Sequence, residues 1–193
     1  MSEVLVLFFS RGGATAQLAR LVARGVEEVA GMQARLRSVP PLHGPARDDA
    51  LSASAADLRE CSALILGSPT RFGSMAAPLK AFFEAQAADW LGGTLIGKPA
   101  GVFCSTGSQH GGNEATLLGM ALPLLHHGML LVGIPYSEPQ LMQTRGGGTP
   151  YGASHVAGPE DDPAISADER ALARALGRRV AQTALELERG RAR

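Results

Sequence analysis

The sequence predicts an α/β fold of the doubly wound kind, a five-stranded parallel sheet with helices on both faces. Three observations carry that reading. Short runs such as 4–9 (VLVLFF), 63–66 (ALIL) and 100–104 (AGVFC) are almost wholly apolar, as strands covered on both sides must be. Segments with apolar residues at helical spacing alternate with these runs. All three runs stop abruptly in loops built from Ser, Thr, Gly and Arg.

The elements follow in order. After Val4 to Phe9, the positions Leu18, Leu21, Val22, Val26 and Val29 line one side of a helix, and Gly31 stops it. Residues 34–39 alternate Leu36 and Val39 with Arg35 and Arg37, the pattern of a more exposed second strand. Residues 40–54 form a loop rich in Pro, Gly and Asp. Ala63 to Leu66 is the third strand. Residues 76–90 are expected as one helical stretch with Leu79, Phe82 and Phe83 on one side. Ala100 to Cys104 is the fourth strand. Asn113 to His127 is a helix, interrupted or bent by Pro123. Met129 to Ile134 is the fifth strand. A long loop then carries TRGGGTPYGA and the acidic GPEDDP. The last helix opens with a capping box, Ser166 and Glu169, and presents Leu172, Leu176, Val180, Ala184 and Leu187 as one stripe. The chain, 1–193, reads as a single domain.

Composition narrows the function. Eighteen basic residues balance eighteen acidic ones, which argues against nucleic acid as the main partner. The arginines near the end (Arg178, Arg179, Arg189, Arg191, Arg193) read as a solvated face. Two cysteines, Cys61 and Cys104, make no disulfide framework, so a cytoplasmic location is expected. No basic residue precedes the first apolar run, so no signal peptide is expected, and no apolar stretch is long enough for a membrane span.

In doubly wound sheets ligands sit beyond the carboxyl ends of the strands. Three polar loops leave those ends. In the first, Ser10-Arg11-Gly12-Gly13-Ala14-Thr15, two glycines let the backbone turn its N–H groups inward at a helix N-terminus, with a hydroxyl at each end. That is a cradle for one phosphate. The dinucleotide fingerprint is absent, because the glycines are adjacent. Gly92 and Gly97-Lys98 imitate a P-loop, but Pro99 stands where a magnesium-holding hydroxyl belongs. The second loop offers Thr70, Arg71 and Phe72: a hydroxyl, a planar cation and an aromatic face. The third offers Ser105, Thr106 and Gly107, hydroxyls with close backbone approach. One phosphate plus one polar heteroaromatic ring is the outline of FMN.

The stretches VLVLFFS, GSPTRFGSM, STGS, LLHHGM and RGGGTPYGA together resemble the WrbA-type NAD(P)H:quinone oxidoreductases of the flavodoxin-like superfamily. The resemblance runs from residue 4 to about 158. It implies the strand order 2-1-3-4-5, bound FMN, a homotetramer, and two-electron reduction of quinones by NADH or NADPH. By position, Ser10 to Thr15 would hold the FMN phosphate, and Thr70, Arg71 and Phe72 would contact the isoalloxazine. Ser105, Thr106, Gly107, Ser108, Gln109 and His110 would flank its pyrimidine edge, His126 would approach the ring, and Trp90 would line the substrate pocket. Gly12 stands where many members carry Tyr, and Ser108-Gln109-His110 interrupts a loop that is usually glycine-rich.

The implied chemistry is hydride transfer through FMN N5, with reductant and quinone alternating in one site. The alternatives are a one-electron carrier and a non-catalytic FMN-binding regulatory protein. Neutral charge, and ring loops with Arg71 but no carboxylate, favour the reductase over the carrier. His43, His110, His126, His127 and His155 show no metal-ligand spacing, and Cys104 reads as a buried inert thiol. Trp90, Leu91, Tyr136, Leu141, Met142 and Tyr151 would form an apolar surface for a second copy, setting Trp90 near the partner's flavin.

Overall fold

The computed structural model describes Met1 to Arg191 apart from residues 46, 47, 159, 161 and 163. Three positions of the acidic GPEDDP stretch, and Arg193 of the arginine-rich end, therefore lie outside the described residues. The first strand, β1 (Ser2–Phe8), is buried from Val4 onward, and α1 (Ala14–Glu27) follows the first polar loop. Next come β2 (Met32–Ser38), α2 (Ala55–Glu60) and β3 (Ala63–Pro69). The stretch read as one helix is two, α3 (Ala77–Glu84) and α4 (Ala87–Leu91), with Gln86 between them at φ −97°, ψ 26°. Then follow β4 (Pro99–Thr106) and α5 (Asn113–His126), which accommodates Pro123 inside its last turn.

The strands pair in parallel in the order β2-β1-β3-β4-β5, with β5 at Leu130–Leu131, the flavodoxin-like order. The fifth position is filled in two pieces. β5 (Leu130–Leu131) pairs only with Pro99 and Ala100. The chain then leaves the sheet, forms α6 (Gln140–Gln143), and returns as β6 (Ala153–Val156), paired with Phe103 to Thr106 of β4. Pro150, from the far arm of the excursion, packs against Gly133: a Cβ at Gly133 would collide with the Pro150 carbonyl, so the two arms close on each other where the strand would have continued.

Two apolar layers sandwich the sheet. On one side α1 and α7 (Ala167–Arg191) cover Val4, Val6, Phe8, Ile65 and Phe103. On the other, α3 and α5 cover Leu5, Leu7, Leu64, Leu66 and Val102. The capping box opens α7 as expected: Ser166 N–H donates to Glu169 Oε2 at 2.9 Å, and Glu169 N–H donates to Ser166 Oγ at 3.3 Å. Arg178, expected in solvent, instead bridges Glu28 and Glu138.

Candidate functional site

The three polar loops converge at the carboxyl ends of β1, β3 and β4. Gly13 caps α1 in the left-handed region, φ 98°, a conformation that a side chain would strain. This turn aims the helix start at the loop. Among the described residues, the backbone N–H groups of residues 11 to 15 meet no acceptor in the chain. Ser10 is buried beneath them and its hydroxyl accepts from Ala16 N–H at 3.3 Å. The Thr15 and Ser105 hydroxyls lie 2.8 Å apart and tie the first loop to the third. Thr106 donates to the Ser108 carbonyl at 2.6 Å, which tightens the turn after β4.

The second loop joins the same wall, Thr70 N–H donating to the Ser105 carbonyl at 2.8 Å. Thr116 of α5 donates to the Thr70 hydroxyl at 3.1 Å. Beyond Thr70, Arg71 and Ser74 exchange backbone hydrogen bonds of 2.8 and 3.0 Å across Phe72 and Gly73. Both central residues have positive φ, 50° and 75°, as a type I′ turn requires. Phe72 is the only described non-glycine residue in that region, and its side chain is 108% exposed. A strained backbone that holds a bare aromatic ring outward is a feature that folding alone would remove.

Two spaces adjoin here. The cradle, about 390 Å³, is lined by Arg11, Gly12, Ala14, Thr15, Thr70, Arg71, Ser105, Thr106, Gly107 and Ala157 among others. The larger cleft, about 1020 Å³, is walled mainly by apolar groups such as Phe9, Met75, Phe83, Leu122 and Pro123, and holds Phe72, Trp90 and His126 at its edges. Arg11 and Arg71 border both. Among the described residues the Arg71 guanidinium donates only to the neighbouring Thr70 carbonyl, at 3.1 Å, and Arg11 has no ion-pair partner. Glu84 in the cleft is taken by Lys80 at 2.6 Å.

The site residues thus fall into three groups. Arg11, Gly12, Ala14, Thr15, Thr70, Arg71, Ser105, Thr106 and Gly107 line the cradle, with Ser10 and Gly13 shaping it. Phe72, Trp90 and His126 line the cleft, and the Trp90 indole N–H donates to the His126 carbonyl of the same chain at 2.8 Å. Gln109 and His110 turn away and line a separate polar cavity of about 240 Å³ with Thr144, Gly146 and Ser154.

Sequence reasoning missed the cleft walls Met75, Phe83 and Pro123. Met75 follows the PTRFG motif directly, and Pro123 interrupts a helix, which were the available signals. His127, considered in the sequence for metal-ligand spacing, stacks edge-on against Phe83 at 5.7 Å. Burial holds the His127 imidazole below its usual range, and its buried Nδ1 has no partner among the described residues. Burial pushes the Cys104 thiol well up, and it sits 3.3 Å from Asn113 Oδ1, as an inert thiol would.

A flavodoxin-like sheet whose three strand-end loops build a polar cradle beside an apolar cleft defines the class. The chain belongs to the NADPH-dependent FMN reductase family, whose model matches residues 3–137. It is 42% identical over 199 residues to a Chromohalobacter salexigens protein named NAD(P)H dehydrogenase (quinone), covering 97% of this chain and 99% of that one. A Solidesulfovibrio magneticus protein of the same name is 40% identical over 200 residues, covering 96% and 98%. Among solved structures, a WrbA-like flavodoxin from Agrobacterium tumefaciens superposes with a TM-score of 0.72 at 26% identity, covering 96% of this chain and 99% of that one.

Proposed function

We propose that the chain is an NAD(P)H:quinone oxidoreductase. FMN sits with its phosphate in the loop from Ser10 to Thr15 and its ring between Thr70–Phe72 and Ser105–Gly107. The observation that carries this reading is the junction of two unlike spaces, a polar cradle and an apolar cleft, at Arg11 and Arg71. The cradle fits the group: a cluster of N–H groups without acceptors at a helix start calls for an anion. Bound there, FMN supplies hydride transfer at its N5.

The chain's own residues do the rest. Arg71, with no carboxylate partner among the described residues, would supply positive charge beside the ring. Phe72, Met75, Phe83 and Trp90 exclude water and offer flat apolar contact to nicotinamide and quinone. With one cleft for both, the reductant leaves before the quinone enters, and the kinetics are ping-pong.

The protein works in the cytoplasm, in keeping with two free, buried cysteines, and no helix of the described residues is long and apolar enough to cross a membrane. It assembles as a homotetramer. Leu118, Leu122 and Leu125 of α5 are about half exposed, as are Leu130 and Leu131 of β5, and Trp90, Leu91 and Tyr151 are exposed as well. Leu141, expected on that surface, packs partly against the core. Twofold contacts would cover the rest.

The test is an absorption spectrum of the purified protein followed by anaerobic NADH or NADPH. A flavin spectrum that bleaches fully and returns with a quinone supports the reading. A protein without flavin, or with flavin that neither reductant bleaches, refutes it. Sedimentation showing a fully active monomer refutes the assembly alone.

A further inference from the structure

The last piece of the sheet carries a group that quinone reduction does not use. His155 of β6 is buried, 1% exposed, and lies in register with Ser105 of the cradle. Its Nδ1 is 3.0 Å from Glu169 Oε2, and its Nε2 is 3.0 Å from the Asp162 carbonyl oxygen. An ionised carboxylate and a carbonyl can only accept. Two acceptors on one ring demand N–H on both nitrogens, so the ring is an imidazolium. Burial works against that charge, but the carboxylate and carbonyl outweigh it and hold the proton more tightly than a free histidine would. Glu169 and Asp162 are the charged groups that act on the ring. On that face of the sheet β4 presents Phe103 and Ser105, and α1 presents Thr15 and Ala16, none of which titrates.

A short chain of hydrogen bonds leads from this ring to the cradle. The Asp162 carbonyl accepts from Nε2–H, and Asp162 N–H donates to the Ala157 carbonyl at 3.0 Å. Ala157 N–H donates to the Thr106 carbonyl at 2.8 Å. Ala157 and Thr106 both line the cradle.

We propose that His155 is a positioning residue: clamped as an imidazolium between Glu169 and the Asp162 carbonyl, it fixes the segment that sets Ala157 as a cradle wall, and loss of its proton loosens bound FMN. The proposal rests on the assignment of the cradle to FMN. A neutral ring has one N–H for two acceptors, so one nitrogen lone pair then faces an oxygen lone pair at 3.0 Å. The Glu169 carboxylate is pinned by three backbone N–H groups, so the Asp162 carbonyl is the partner that yields. The sign follows: a proton held above the ordinary histidine range stabilises the wall at and below that range, and the effect is lost as pH rises through the raised value.

The experiment measures FMN release from the holoprotein, read as recovered flavin fluorescence at equilibrium, from about pH 7 to about pH 9.5. Wild type and H155Q are compared, and imidazole nitrogen NMR of the wild type is recorded over the same range. FMN affinity of the wild type should fall by up to about tenfold per unit of pH beyond the ring's midpoint, until the neutral-ring affinity is reached. H155Q should hold FMN weakly, with no such step. NMR should show two protonated nitrogens on the His155 ring at the low end, and the step in FMN release at its midpoint. A flat wild-type profile, the same step in H155Q, or a neutral His155 at about pH 7 overturns the proposal. Should H155Q fail to fold, coincidence of the wild-type NMR and release midpoints decides alone. A wild type that takes up no FMN at any pH refutes the cradle assignment itself, an outcome distinct from FMN binding without pH dependence.

Discussion

Glu169→Gln isolates the worth of one buried negative charge. The side chain is 3% exposed. Its Oε1 accepts from Gly147 N–H at 2.8 Å and Val156 N–H at 3.0 Å, and its Oε2 from Ser166 N–H at 2.9 Å and His155 at 3.0 Å. These donors outweigh burial and hold the carboxyl down from 4.5 to about 2. A fall of that size corresponds to roughly 3 kcal/mol of stability at neutral pH. Glutamine keeps the volume, loses the charge, and turns a donor toward Ser166 N–H or His155. The variant should therefore unfold with a free energy lower by about 3 kcal/mol at pH 7 in urea titrations. The pH dependence has a fixed sign. A depressed carboxyl contributes fully above its ordinary value and loses the contribution as pH falls toward its folded value. The wild-type and variant curves should converge between about pH 5 and pH 2. A gap that stays constant down that range would show that packing, not charge, was lost.

Three further outcomes follow from the site. Phe72→Gly should raise stability by about 1 kcal/mol, because it relieves a positive φ and removes a bare ring, yet lower kcat/KM for quinones; equal turnover would deny the ring a role. Thr15→Glu puts a carboxylate among the N–H groups of the first loop and breaks the 2.8 Å contact to Ser105, so the purified variant should lose its FMN on dialysis. A variant still fully yellow would move the phosphate elsewhere. Trp90→Ala should raise KM for quinone and nicotinamide while FMN stays bound; loss of FMN or of the folded state instead would make Trp90 a structural residue.

The cradle was legible because its signals are local. A buried run ending in Ser, Gly and Thr says both where a strand stops and what its end offers a ligand. The split fifth strand was not legible, since residues 129–134 are continuous in pattern and the interruption comes from Pro150, far along the chain. The break between α3 and α4 has no Gly or Pro to announce it; Gln86 bends the chain there while its side chain donates to the Phe82 carbonyl at 2.9 Å. Glu169 shows the same limit from the other direction. Its capping role could be read from Ser166, three residues earlier, but its bonds to Gly147, Val156 and His155 join segments that no local pattern connects.

The divided fifth position also governs how the molecule can meet its own kind. Two residues of β5 and four of β6 leave no long row of unpaired N–H and C=O groups on that border, the row on which another chain could add a strand. A second copy that covers the leucines of α5 must therefore grip side chains rather than backbone. Each sheet would end within its own subunit, with no β-structure continuing across the contact. Such an interface can be opened by a single apolar-to-polar change on α5 without unravelling either sheet, and on that border an isolated chain offers little template for fibrous growth.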